Sequence, residues 1–562
     1  MASQELKQLK NWLSWWVRKK YNDPIKHFKD EAKKKTSEEV NELTIKNINT
    51  KIIESGSQKN LGYSILKLLY NNLKLNEVAK QQQKHTKSNF DINSILQLLI
   101  YSRILYPGSK KETFDNKNIF FDDFNFSLID VYRSLDIIAS IKDNVEKELW
   151  KNTKEKYTRT ASTAFYDCTN YYFEISNNDK DLVDEEGNII EKGDRKKGYS
   201  KENRRTPIIQ MGLLMDSTGI PLSYNIFPCN ESEKTPLRPI LKKSKTMFNL
   251  KRVVVVADRG INTSDNTVFI AGKNNYDNKL DGYIFGQTIR GADKEFRNWA
   301  LDKKGYITEE ILDAKENKVR FIHKSRIFAK TTQIEKDGKR DSKFDIYQKQ
   351  LVYYSEKYAE KQRYDREKQI EIAKDLIEYP KKYNKANSKG AASYVKNIQF
   401  VKKTGEIAEE QELSIDTTKI EEEKLYDGYY SIVTSELEMS DKDIRDKYKG
   451  LWEIEETFKI TKSTLKTRPV YVWTKEHIEA HFLICFISLV MLRILEKDMQ
   501  EKYTSEKIIK SLKKYTSTKV EYDIYLQSHR DEIIKYIEQI YNIDLSKKYL
   551  TLSRIKQILQ QN

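Results

Sequence analysis

Hydrophobic and polar positions along the chain fall into distinct textures. Up to about residue 155 the apolar residues recur at helical spacing. Asp91 to Leu105 (DINSILQLLIYSRIL) opens on an N-cap aspartate and ends before Pro107-Gly108. Ser127 to Trp150 reads as a longer amphipathic helix opened by a serine. The texture changes near Ser162, where Ser162 to Asn170 (STAFYDCTN) reads as a strand with Asp167 at its centre. Ile208 to Asp216 and Ile220 to Phe227, joined by Ser217-Thr218-Gly219, predict a hairpin. Thr235 to Met247 predicts a helix with Pro236 at its first position. Arg252 to Ala257 (RVVVVA) is a β-branched run suited to a central strand buried on both faces. Asp258-Arg259-Gly260 ends it, Asn262 to Ala271 starts a helix, and Asp281 to Thr288 adds a strand.

Residues 290 to 425 interrupt this pattern. They are rich in Lys and Glu, with a long helix at Ser355 to Ile377 and strand candidates at Gln348 to Tyr354 and Ala392 to Phe400. Tyr426 to Thr434 returns to strand texture. Tyr448 to Lys466 then predicts one amphipathic helix with Leu451, Ile454, Phe458 and Leu465 on its packed face. Tyr448, Glu455 and Lys462 recur beside that face at seven-residue steps. His477 to Leu495 reads as a buried helix, and Thr504 to Tyr515 and Asp531 to Tyr541 as amphipathic ones. Strand, hairpin, helix, buried strand, helix, strand is the order of an RNase-H-like α/β domain. The expected class is therefore α/β: an RNase-H-like catalytic domain with an inserted α+β subdomain, flanked by helical N- and C-terminal regions. The expected boundaries are 1–155 (helical), 156–290 and 426–500 (the two parts of the RNase-H-like domain), 291–425 (the insertion) and 501–562 (helical).

Charge narrows the partners. Among 562 residues, 101 Lys+Arg against 84 Asp+Glu leave a net charge of +17, which favours a polyanion such as nucleic acid. Cys168, Cys229 and Cys485 are far apart and lack CxxC spacing, so neither a disulfide framework nor a zinc site is supported. The first twenty residues lack the apolar core of a signal peptide, and the run Phe482 to Leu492 is about half a membrane span. A soluble intracellular protein without a membrane partner is expected. A dehydrogenase or kinase is disfavoured, since neither GxGxxG nor GxxxxGK[ST] occurs.

Three carboxylates carry candidate chemistry: Asp167 on one strand, Asp258 at the end of another, and Glu455 on the late helix. Each alone is as readily a turn former, a helix cap or a solvated charge. Converging on one point of the sheet, they would offer the hard oxygen ligands that Mg²⁺ requires. Two such ions activate a water or 3′-OH and stabilise the leaving oxygen in phosphodiester displacement. Glu453 and Glu456 lie off the Tyr448–Lys462 stripe, which leaves Glu455 the preferred acid.

These residues resemble the DDE transposases of bacterial insertion sequences, and within them the insertion-sequence-four superfamily with its Tyr-x2-Arg-x3-Glu-x6-Lys signature. Asp167 in YDCTNYYF, Asp258 in VVVVADRG and the helix Tyr448…Glu455…Lys462 carry the resemblance. GYSKENRR, GLLMDSTGIPLSYNIFPCNESEKT, YDGYYSIVTS and RPVYVWTKEHIEAHFLICF extend it over roughly residues 90 to 500. The resemblance implies that Asp167, Asp258 and Glu455 bind two Mg²⁺ ions, for which Mn²⁺ can substitute. It implies that Tyr448 and Lys462 contact phosphates near the transposon end, that the helical region 1–155 binds DNA ends and that 501–562 dimerises. The signature's Arg position holds Leu451, and Arg259, Lys459, Lys466 and Arg468 are candidates to supply the missing charge. Cys229 stands where an FPGN-like turn has Gly. Trp452 and Trp473 are candidates to stack a flipped base, although a structural role suits either.

The implied activity is cut-and-paste DNA transposition: a homodimer on inverted-repeat ends nicks the DNA and joins each 3′-OH to a second strand or to target DNA. The implied setting is bacterial, cytoplasmic and nucleoid-associated. Two other readings stand beside it. One is a catalytically inactive transposase-derived DNA-binding protein or repressor, for which Leu451 leaves room. The other is a structure-selective nuclease of RNase-H type, which leaves the insertion and the Tyr448/Lys462 stripe unexplained.

Overall fold

The β-branched run at residues 252–257 becomes the middle of a large sheet. The computed structural model describes residues 58–198, 206–229, 235–273, 280–312, 318–333, 335–336, 339–340, 343–409, 411–521 and 523–560. The motif GYSKENRR lies outside these from Tyr199 on, as do residues 230–234 of the NESEKT stretch and the expected helical segment up to residue 57. The chain divides into two units. One takes the described residues up to Arg159, Tyr171–Ile209 and Thr457 onward; the other takes Thr160–Asn170 and Gln210–Glu456.

The second unit holds a mixed sheet of nine strands. In chain order these are β1 (Thr163–Tyr172), β2 (Ile208–Asp216), β3 (Pro221–Pro228), β4 (Val254–Ala257), β5 (Gly282–Gln287), β6 (Ile307–Leu312), β7 (Lys318–Thr332), β8 (Phe344–Tyr354) and β9 (Tyr429–Thr434). Their order across the sheet is β3-β2-β1-β4-β5-β9-β8-β7-β6. β4 runs parallel to β1 on one side and to β5 on the other, so every β4 side chain is buried. The β2–β3 turn closes on Gly219 at φ +76°, a left-handed conformation open to glycine. Two helices make the crossovers: α1 (Leu237–Phe248), with Pro236 at the N-cap rather than the first position, and α2 (Ser264–Ala271), capped by the Thr263 hydroxyl.

The segment 290–425 does not stand off as a separate sheet. Its strands β6, β7 and β8 join the same ladder through β9, which pairs with both β8 and β5. The long helix expected at Ser355 to Ile377 forms as α3 (Glu356–Glu378), with the Ser355 side chain as its cap. The expected strand Ala392 to Phe400 is instead a 3-10 turn, Ala391–Tyr394, and a two-residue strand, Val395–Lys396. Its apolar residues are spent in a small core with Ala373 and Leu376 of α3.

The predicted helix Tyr448 to Lys466 is interrupted. It forms α4 (Asp441–Lys449) and α5 (Leu451–Lys459), separated at Gly450, then a π-helical turn Ile460–Thr464. A Cβ at Gly450 would lie 2.5 Å from the Phe165 ring of β1, so the break sits where a ring of the sheet leaves room for no side chain. The apolar face holds: Ile454, Phe458 and Leu465 are buried and Leu451 half-buried.

In the first unit Asp91 caps Ile92–Leu105 through the Asn93 amide at 2.9 Å, as expected. The long helix expected from Ser127 is two, Leu128–Ser140 and Lys142–Lys154, pivoting on fully buried Ile141. Lys475–Asp498 is long and apolar enough to cross a membrane by length and composition, and it is buried within the unit against Ile92–Leu105 and Leu128–Ser140. The C-terminal region, expected to be helical, also contains a sheet: Gln58–Asn60, Thr516–Glu521, Ile524–Ser528 and Tyr549–Thr551 form four antiparallel strands. TSTKVE and IYLQS, rich in β-branched and aromatic residues, are the strand signal there.

Candidate functional site

Register brings the two aspartates together. β1 and β4 pair from Thr163↔Val254 to Tyr166↔Ala257, and the next residue on each chain is Asp167 and Asp258. Neighbouring strands lie about 4.8 Å apart, so the pair stands abreast on adjacent parallel strands. β4 ends at Ala257, which sets Asp258 at the carboxyl end of its strand, where open α/β sheets bind ligands. Asp258 is exposed and Asp167 half-buried. The Cys168 amide donates to Asp167 Oδ1 at 2.7 Å.

The same step continues onto β5. Ala257 pairs with Phe285, so Gly286 follows beside Asp258. A Cβ on Gly286 would lie 2.4 Å from the Tyr448 hydroxyl and 3.0 Å from the Arg259 amide nitrogen. The bare glycine lets Tyr448 reach over the strand and donate to Asp258 Oδ1 at 3.4 Å, a long bond. Burial first, then the Asp258 carboxylate, pushes the Tyr448 phenol well above its ordinary pKa of 10.0. It is therefore a neutral donor at physiological pH. Asn262 pins the turn after Asp258 by donating to the Gly286 carbonyl (3.2 Å) and Gln287 Oε1 (2.9 Å).

α4 is held over this ledge from both ends. Its first residue, Asp441, accepts from Lys349 Nζ of β8 at 2.7 Å and meets His323 Nδ1 of β7 at 2.8 Å. Burial works to raise the Asp441 pKa, but hydrogen bonds from His323, Lys349 and Ser325 outweigh it and hold the carboxyl at about 2. At the far end Lys447 Nζ reaches Thr163 Oγ1 at 3.3 Å. Strands of the interrupting segment thus anchor the helix that carries Tyr448.

Glu455 lies on α5 and is exposed. Glu453, two residues before it and about 200° around the helix, faces the β2–β3 turn: a Cβ on Gly219 would meet its Oε2 at 2.7 Å. Glu456 is exposed. Among the described residues no three His, Cys, Asp or Glu side chains are gathered closely enough to hold a metal ion, so the three carboxylates do not form one closed group. Two carboxylates side by side nonetheless offer the hard oxygens that Mg²⁺ takes.

The expected DNA-binding cations are spread out. Arg259 and Lys459 are exposed, and Lys462 is half-buried in the π-helical turn, so it is not on a straight α-helix running from Tyr448. Lys466 adopts φ +44°, and the Arg468 guanidinium lies 5.5 Å from the Tyr172 ring. Trp452 and Trp473 are both exposed, Trp473 with the Arg195 guanidinium 5.7 Å over its ring. Cys229 is buried. Sequence reasoning passed over Gly286, Lys447 and Asp441. Gly286 alone had a readable sign, since a glycine inside a strand marks a close approach of another group.

No family model matches this chain, and no curated protein does. Among solved structures, it is similar at a TM-score of 0.36 and 8% identity to the piggyBac transposase in a synaptic complex with hairpin DNA, over 89% of this chain and 83% of that one.

Proposed function

We propose that this chain is a DDE transposase with an RNase-H-like core, acting on the inverted-repeat ends of an insertion sequence. The observation that carries the reading is the β1–β4 register, which sets Asp167 and Asp258 abreast at the carboxyl end of a buried parallel strand. The chain order of β1, the β2–β3 hairpin, α1, β4, α2 and β5 supports the RNase-H-like core.

In this reading Asp167 and Asp258 hold the divalent metal, and Glu455, which does not close a group with them in this structure, joins as third ligand from α5 when metal and DNA are bound. Bound there, two Mg²⁺ ions, or Mn²⁺ in their place, supply an activated water or 3′-OH and charge neutralisation at the leaving oxygen. Tyr448 donates to Asp258 and keeps that carboxylate turned toward the ledge. Lys462, Lys459, Lys466, Arg259 and Arg468 supply positive charge for phosphates, which position a duplex without reading its sequence. A homodimer on two transposon ends, with target DNA as the final acceptor, completes the proposal, and its setting is the bacterial cytoplasm.

A second reading, a catalytically inactive DNA-binding derivative, is favoured by Leu451: it is half-buried where the signature carries Arg. One experiment separates the two. A labelled duplex bearing the flanking inverted repeat is incubated with wild type or Asp258→Ala in Mg²⁺ or Mn²⁺. The transposase releases a 3′-OH at the element's end, and the variant loses on the order of 10³-fold or more of that rate. Binding without cleavage under either metal leaves the inactive derivative.

A further inference from the structure

A second candidate site lies wholly within the first unit. A cavity of about 530 Å³ is lined by Arg103, Lys110, Lys466, Arg468 and His481, with Pro107, Pro469, Tyr471 and Val472 among its other walls. Among the described residues the one carboxylate on its lining, Glu112, is committed to a capping box with Ser109. Lys110 is 5% exposed, and among the described residues its ammonium has no hydrogen-bond or ion-pair partner. Arg103, also buried, donates to the carbonyls of Leu465 (3.3 Å), Lys466 (3.3 Å) and Gly108 (3.1 Å), while its Nε is buried without a partner. His481 donates from Nε2 to the Thr467 carbonyl at 2.9 Å, and burial, Lys110 and Arg103 hold its pKa well below 6.5. It therefore adds a dipole to this wall and no charge.

A buried ammonium without an acid is costly unless something of opposite charge joins it. Here three further cations face the same space, and the space is large enough for a nucleotide-sized group. Burial first, then Arg103, brings the Lys110 pKa down to about 7, the direction expected of an ammonium whose counter-ion is missing. A dianion with several oxygens can meet the ammonium and a guanidinium together, which suits phosphate better than a single carboxylate. Half-exposed Tyr471 and two prolines give the mouth an apolar and aromatic rim against which a base can lie.

We propose that this cavity is a phosphate-binding site that takes the phosphate of a nucleotide, with Lys110 as its inner charge and Arg468 and Lys466 on its walls. That the nucleotide belongs to a DNA strand rests on the function proposed above; the site itself does not.

The full chain is titrated calorimetrically in metal-free buffer with inorganic phosphate, with a 5′-phosphorylated oligonucleotide and with its 5′-hydroxyl counterpart. Wild type, Lys110→Met and Arg468→Gln are compared. Wild type is expected to bind phosphate saturably, and Lys110→Met to weaken it by about tenfold or more. Phosphate is also expected to shield Lys110 from an amine-reactive label, which a merely structural lysine would not show. A 5′-phosphorylated strand that binds more tightly than inorganic phosphate assigns the source to a strand end; equal binding assigns a free phosphate or nucleotide. Absence of saturable phosphate binding overturns the site, as does equal binding by wild type and folded Lys110→Met. Should Lys110→Met fail to fold, Arg468→Gln, on the half-buried wall, carries the same comparison. No metal or cleavable duplex is present, so this outcome is independent of the Asp258→Ala cleavage result.

Discussion

The aspartate ledge and the Lys110 cavity gather charge in opposite ways. On the ledge, backbone pairing does the work: Tyr166 opposite Ala257 makes Asp167 and Asp258 neighbours, and Gly286 takes the next place in line. Both acids keep contact with solvent, so gathering like charges costs little desolvation. In the cavity, side chains from two loops and three helices converge, and Lys110 is buried with no acid to meet it among the described residues. In the function proposed above, such a ledge receives a cation from water. The cavity holds its charge at a cost that a bound anion repays. The two proposed sites therefore arise by separate means, ladder register in one case and helix packing in the other.

The contrast can be broken most forcefully at Lys110. Its folded pKa of about 7 lies below the ordinary 10.5, so between those values the unfolded chain binds more protons and stability rises with pH. In phosphate-free buffer Lys110→Met is expected to be more stable than wild type near pH 6, by as much as about 4 kcal/mol. The gap should close as pH rises toward 10. Arg103, His481, Cys485, Lys466, Arg468 and Glu112 are common to both proteins, so the difference in urea unfolding free energy isolates Lys110. A gap independent of pH would show that the lysine's charge is not what costs stability.

Asp441 tests how far the ledge depends on its anchor. Asp441→Ala takes the acceptor from His323 Nδ1 and the counter-charge from Lys349, which keeps the Met439 carbonyl at 2.8 Å, and is expected to cost about 2–3 kcal/mol near neutral pH. The carboxyl's pKa is depressed to about 2, so its share of stability is present above its ordinary pKa near 3.8 and is lost as pH falls through about 2. Unfolding of the two proteins should therefore converge in strong acid. Gly286→Ala is the next smaller change: its methyl would drive the Tyr448 hydroxyl aside at a cost of about 1–2 kcal/mol, read as a lower melting temperature. Tyr448→Phe removes only a long hydrogen bond and should cost less than about 1 kcal/mol. If it cost more than Gly286→Ala, Tyr448 would be a packing residue first.

How much of this was readable in the sequence follows from the same contrast. The strands around Asp167 and Asp258 announce themselves by texture, the hairpin by Gly219, and the caps by Asp91 and Ser127. The aspartate pair needed only correct strands and their parallel pairing. The interruption of the Tyr448 helix was hidden, because an apolar stripe says nothing of how near another ring comes. Phe165 lies some 285 residues before Gly450. The strands of segment 290–425 were hidden for a similar reason: which ladder a strand joins is a long-range choice. The cavity was the least legible, since Arg103, Lys110, Lys466, Arg468 and His481 belong to no motif and meet only through folding.

The central claim is that Asp167 and Asp258 are ligands of one divalent-metal centre, and it can be tested without knowing any DNA sequence. Fe²⁺ exchanged for Mg²⁺, with ascorbate and peroxide, cuts a polypeptide beside the metal. Two cuts are expected in wild type, one in β1 near Asp167 and one just after β4 near Asp258. Excess Mg²⁺ should suppress both, and Asp258→Ala should lack both. Cuts elsewhere, or cuts that survive in Asp258→Ala, would contradict the account.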